Sequence, residues 1–225
     1  MVDSGYFIFV LPAFIFALWA QAKVRSAYET YSRLYTKGGK SAFEVASSLL
    51  RDAGLHDVRI EKAPGNLTDH YDPRSKVLRL SSGVHDSSSV AALGIAAHEV
   101  GHAVQHGTGY ALLTLRNGLV PVAQLTSKAA FPLFFVGLLL RSGLLMDLGL
   151  LFFLGAVIFQ AVTLPVEYDA SRRALSMLES TGFVTGAEAV PVGNMLNAAA
   201  LTYVAALAVS LGQFMRLFMM RGRRD

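Results

Sequence analysis

The sequence predicts a mainly α-helical, multipass membrane protein that carries a small α+β portion. Three observations predict it. Of 225 residues, 53% are hydrophobic and only 16% are charged, and the mean hydropathy is +0.43, which does not suit an ordinary soluble domain. Several uncharged or nearly uncharged stretches are long enough to cross a bilayer. Between the first and second of them the composition reverts to that of a small soluble domain, with helical and strand periodicities. The chain has no cysteine, so no disulfide framework exists and any metal site must be built from His, Asp and Glu. The net charge of +4 and pI near 9.4 do not point to nucleic acid, because the basic residues are spread among apolar segments and are not gathered beside stacking aromatics. A positive cytoplasmic face explains them more simply.

The segments follow in order. Residues 1–22 form an N-terminal transmembrane anchor, in which Tyr6 to Ala22 reaches roughly 25 Å at helical rise. Asp3 and the lack of Lys or Arg before this stretch argue against a cleaved signal peptide. Lys23, Arg25, Arg33, Lys37 and Lys40 follow it and place the next portion, 23–118, on the cytoplasmic side. There, Phe43, Ala46, Leu49 and Leu50 mark an amphipathic helix with a Ser41 cap, Glu44 three residues on and Gly54 as a stop. "VRIEKA" reads as a strand, and "TDHYDPRSKVLRLS" as two strands around a turn at Asp72–Ser75. "SSSVAALGIAAHEVGHAVQHG" is a helix capped from the Asp86–Ser89 cluster and ended by Gly107.

Residues 119–166 read as a transmembrane hairpin. Lys128 within it is either a functional position or a snorkelling side chain. A polar segment, 167–189, comes next, with Glu167 expected to open a new helix once Pro165 and Val166 have ended the span. Residues 190–225 form an apolar helix and a basic tail, "RGRRD". Were every segment to span, that tail would lie outside, against the positive-inside rule; a re-entrant or interfacial fourth segment is the alternative.

The chemistry concentrates in "GIAAHEVGHAVQHG". His98 and His102 are four apart on a helix, which leaves about 40° of net rotation and roughly 6 Å of rise, so both rings can meet one ion. Glu99 points about 100° away, close enough to touch a water on that ion. This is the H-E-x-x-H arrangement of zinc hydrolases: imidazoles hold the metal and leave a position open, and a carboxylate takes a proton from water. The plain alternative is a helix whose polar residues bond locally, but burying two imidazoles and a carboxylate among small residues is costly without a partner. His106 continues the spacing yet lies about 12 Å along the axis from His98, too far for a shared ion, and reads as a polar helix end. The best third ligand is Glu167 of "PVEYDASRRAL", although a charge cluster at the membrane surface, with Asp169, Arg172 and Arg173, is the competing reading.

Together, "SAFEVASSLL", "LTDHYDPRSKVLRLS", "SVAALGIAAHEVGHAVQH" and "LPVEYDASRRAL" resemble, in order and over most of the chain, the neutral zinc metallopeptidases of bacterial membranes, the YugP-like group. The resemblance implies a multipass cell-membrane zinc peptidase, with a zincin-like cytoplasmic α+β portion around the H-E-x-x-H helix. It implies one catalytic Zn²⁺, ligand roles for His98 and His102 and a catalytic role for Glu99. Glu167 as third ligand rests on a looser likeness to peptidases whose ligand glutamate sits on a second helix. Those peptidases often carry an acidic residue four positions after that glutamate; here the position is Ser171, so Ser171, Asp169 or another residue must support the ligands. The expected reaction is hydrolysis of peptide or membrane-protein substrates, by an endopeptidase rather than an exopeptidase, beside a lipid bilayer and without nucleic acid. His70, Tyr71, Arg172 and Arg173 are oxyanion candidates by type, and "KVLRLS" is expected to offer a strand edge to the substrate. Two rival classes are a zinc-stabilised scaffold or chaperone and a transporter using Lys128, Gln160, Asn194 and Asn197.

Overall fold

A computed structural model describes residues 4–222. Asp3 and the last three residues of the basic tail lie outside the described residues. Among the described residues the fold is mainly helical, with one small mixed sheet and four helices long and apolar enough to cross a membrane. After a π-helical turn at Tyr6–Val10, the helices are α1 (Leu11–Tyr31), α2 (Ala42–Asp52), α3 (Ser82–His85), α4 (Val90–Gly107), α5 (Ala111–Leu140), α6 (Gly143–Ser180) and α7 (Gly186–Gly222). The strands are β1 (Arg59–Ala63), β2 (His70–Asp72) and β3 (Val77–Ser81). Two compact units result. One comprises the N-terminal segment through Gln21, Thr114–Pro165 and the segment from Leu201 onward; the other comprises Ala22–Leu113 and Val166–Ala200.

The first unit is an apolar helical assembly. Phe134, Met146 and Leu217 are fully buried in its core, with Ala130, Leu150, Phe153 and Val157 around them. Helix–helix contact there depends on glycine: a Cβ on Gly149 would stand 2.7 Å from the Phe134 nitrogen, and one on Gly212 would stand 2.5 Å from the Phe9 carbonyl oxygen. Close approach of this kind is how helices associate where solvent gives no hydrophobic drive. On α1, by contrast, Phe14, Ile15, Leu18 and Trp19 are exposed, a surface suited to lipid. Lys128 lies on the exposed side of α5, the environment of a snorkelling side chain.

The second unit has a conventional core of α2, α4 and the sheet, where Leu49, Leu78, Leu80 and Leu93 are buried. Local signals explain its elements. Ser41 caps α2 in a reciprocal box with Glu44: the Ser41 oxygen accepts from the Glu44 amide and the Glu44 carboxylate accepts from the Ser41 amide. Ser89 caps α4 by accepting from the Ala92 amide at 3.2 Å, and α4 ends at Gly107, with Gly109 at φ 65° just beyond it. Asp72 accepts from the Arg74 amide and the Ser75 hydroxyl, which builds the turn between β2 and β3.

Two expectations are corrected. The sheet order is β1-β3-β2, with β1 parallel and β2 antiparallel to β3, so "KVLRLS" is the central strand and has no free edge to offer a substrate. Where β2 stops, Asp69 takes over, accepting from the Ser81 amide at 2.7 Å. The second correction concerns Glu167. Helix α6 runs unbroken through Pro165, so Glu167 lies within a 38-residue helix and does not open a new one. Proline there removes a single backbone donor, while Val166, Ala170, Ala174 and Leu178, four residues apart, are all fully buried and hold the row in place.

Candidate metal centre

The site lies within the second unit, between α4 and the C-terminal half of α6. What brings the two helices together is Gly101, inside the H-E-x-x-H stretch itself. A Cβ at this position would stand 2.6 Å from the Ala170 carbonyl oxygen of α6. The backbones therefore approach as closely as they can at the point flanked by His98 and His102 on one helix and by Glu167 and Ser171 on the other.

The ligand-capable atoms of His98, His102 and Glu167 all lie within 4.8 Å of one another. Both imidazoles aim Nε2 at the same carboxylate oxygen: Glu167 Oε2 is 3.3 Å from His98 Nε2 and 3.5 Å from His102 Nε2. The two rings stand 4.8 Å apart, nearly perpendicular at 83°. Four ligands at about 2.0–2.1 Å around a tetrahedral ion are separated by roughly 3.3 Å, so these two nitrogen–oxygen spacings are of the size that a shared zinc ion requires. The donor set also fits, since two imidazoles and a carboxylate, here within 4.8 Å of one another, are what catalytic zinc sites use while leaving a fourth position open.

The far sides of the rings are also engaged. His98 Nδ1 is 3.1 Å from the Ser171 hydroxyl, and His102 Nδ1 is 3.0 Å from Gln105 Oε1. Gln105 is fully buried, and its amide nitrogen donates to the Val166 carbonyl and to Asp169, each at 2.9 Å. Asp169 in turn accepts from Arg172 and Arg173. Burial disfavours the charged form of His102, but the Glu167 carboxylate outweighs that penalty, with smaller help from Glu99 and Gln105, and holds the imidazole above the ordinary histidine range.

Glu99 is buried on α4 beside the group, and its charge is felt by His102 without its being one of the three. His106 is outside the group, in the last turn of α4, with Nδ1 2.9 Å from the Tyr71 hydroxyl. Burial, reinforced by Asp57 and Asp72, pushes the Tyr71 phenol up to about 12, so it stays neutral. His70 engages the Thr68 carbonyl, and Arg172 and Arg173 are occupied by Asp169. Gln105 is not legible as a site residue: it stands beside His106 in the polar last turns of α4, and nothing in the local sequence separates the two.

The family whose model is described as "Putative neutral zinc metallopeptidase" matches residues 6–222, the full described length but for two residues. The chain belongs to that family. It is also 45% identical, over 214 residues, to the "Putative membrane protease YugP" of Bacillus subtilis (strain 168), an alignment that covers 95% of each chain. No solved structure matches it. Membership of a zinc metallopeptidase family implies zinc as the cation, and the grouping of His98, His102 and Glu167 is where a metal could be held.

Proposed function

We propose that this protein is a membrane-embedded zinc peptidase in which His98, His102 and Glu167 hold one zinc ion and Glu99 is the general base. The observation that carries the reading is the convergence of two imidazole nitrogens on one carboxylate oxygen at 3.3 and 3.5 Å, the spacing of a tetrahedral ligand set. Zinc bound there supplies Lewis acidity toward a peptide carbonyl and raises the acidity of a water. Glu99, one residue along α4 from His98, takes the proton from the attacking water and returns it to the leaving amine.

The substrate is a peptide or a membrane protein, cleaved internally. The span from Gly143 to Pro165 covers roughly 34 Å, enough for the hydrocarbon core, so Glu167 falls just past its end, near the bilayer surface. The basic residues that follow the first span favour the cytoplasmic surface, in a zincin-like arrangement of the α+β portion.

The decisive comparison is between purified wild-type protein and Glu99→Gln on a broad set of peptides. Zinc content is expected to be equal, and hydrolysis is expected to fall by about 10²–10⁴ in the variant. If zinc-loaded wild-type protein is as inactive as the variant, the reading gives way to a zinc-stabilised scaffold.

A further inference from the structure

The geometry points to Gln105 as a positioning residue that reserves Nε2 of His102 for the metal and couples that imidazole to the helix carrying Glu167. The inference rests on the ligand assignment proposed above.

It follows from counting donors and acceptors. Both neighbours of the Gln105 amide nitrogen are pure acceptors, the Val166 carbonyl and the Asp169 carboxylate, each 2.9 Å away. The group there must therefore be NH₂, and the orientation of the amide is fixed. The Asp169 carboxylate also faces Arg172 and Arg173, which can only donate, so its oxygens are placed as acceptors. The remaining atom, Gln105 Oε1, can only accept, and 3.0 Å away stands Nδ1 of His102. That nitrogen must carry a proton, which leaves Nε2, directed at Glu167, as the only atom of the ring that can ligate. Gln105 is fully buried, so water does not replace this bond cheaply.

The arrangement also joins the two halves of the site. One glutamine on α4 contacts a ligand of its own helix and, 61 and 64 residues away in sequence, Val166 and Asp169 on either side of Glu167. Ser171 holds His98 by a single hydroxyl contact. The two imidazoles are thus supported unequally, and His102 is the one whose orientation is set by a buried chain of bonds ending on an arginine pair.

Zinc affinity, measured by chelator competition in detergent-solubilised full-length protein, tests this. Gln105→Met keeps the shape and removes the acceptor; affinity is expected to fall by about 10- to 100-fold. The variant Asp169→Ala removes one partner of the Gln105 amide and loosens the tie to α6, while the Val166 carbonyl still fixes the amide's orientation and keeps Oε1 on Nδ1. Its affinity is expected within about threefold of wild type. A merely structural tie between the helices predicts that both variants lose zinc alike, which would overturn the inference, as would full affinity in Gln105→Met. A variant-free measurement stands beside these: in zinc-loaded, ¹⁵N-histidine-labelled wild type, His102 is expected to carry its proton on Nδ1. A proton on Nε2 overturns the proposal. Failure of the ligand assignment has a different signature, namely undiminished zinc affinity in His98→Ala or Glu167→Gln whatever Gln105 does.

Discussion

In the apolar unit, Gly137, Gly149 and Gly212 let helices meet backbone to backbone, and what they meet is apolar: Leu145 and Met146, Ala130 and Phe134, and Phe9 and Val10 in turn. In the other unit Gly101 makes an equally close approach to Ala170, but what surrounds it is two histidines, a glutamate, a glutamine and an aspartate. The same device thus serves two ends. Among apolar neighbours it yields packing alone, and an error of half an ångström is absorbed by side chains that change rotamer. Among ligand-capable side chains the same error changes whether three atoms can share one cation, because coordination tolerates only a few tenths of an ångström.

The comparison can be broken in several places. The largest effect is expected from Glu167→Ala, which should reduce zinc affinity by more than the about 10–100-fold typical of an outer partner, as read from metal content after dialysis. Stoichiometric zinc in that variant would mean that the polar surroundings of Gly101 are not a metal site at all. Next come matched glycine substitutions. Gly101→Ala and Gly149→Ala should each cost about 1–3 kcal/mol of stability by overpacking. Only the first should also weaken zinc binding, and equal zinc affinity in the two would remove the distinction drawn here.

A pH series on the site-bearing unit gives a smaller and signed effect. Burial opposes the charge on His102 and the Glu167 carboxylate overcomes it, so the folded imidazole is more basic than the unfolded one. In metal-free protein that stabilisation is fully present below the ordinary histidine value and is lost as pH rises through the folded one. Zinc must displace the same proton, so the zinc-loaded protein should show the opposite trend, losing metal and stability as pH falls. Parallel melting curves with and without zinc would refute this coupling if they moved in the same direction. Smallest is Ser89→Ala, which removes the α4 cap and should cost about 1 kcal/mol with little change in zinc affinity.

How much was legible in the sequence depended on whether a feature was local. The Ser41–Glu44 box, the Ser89 cap and the one-turn pairing of His98 with His102 each lie within a few residues, and the structure has them where the spacing puts them. Glu167 could be singled out because charge resumes abruptly after an apolar run. Gln105 could not, because the partners that define it are more than sixty residues away. The central position of β3 was hidden for a similar reason: its parallel pairing with β1 leaves no local trace, whereas its turn with β2 does. Pro165 misled in the other direction. It looks like a helix stop, but the buried row from Val166 to Leu178 carries the helix through it.

The separation of the three residues along the chain has a consequence in time. His98 and His102 are made more than sixty residues before Glu167, and at about 5–20 residues per second the ribosome needs roughly 3–13 s to supply the carboxylate. Throughout that interval the nascent chain holds a histidine pair that lacks its third member. The group is completed only after the apolar stretches on both sides of Arg141 and Ser142 have been translated.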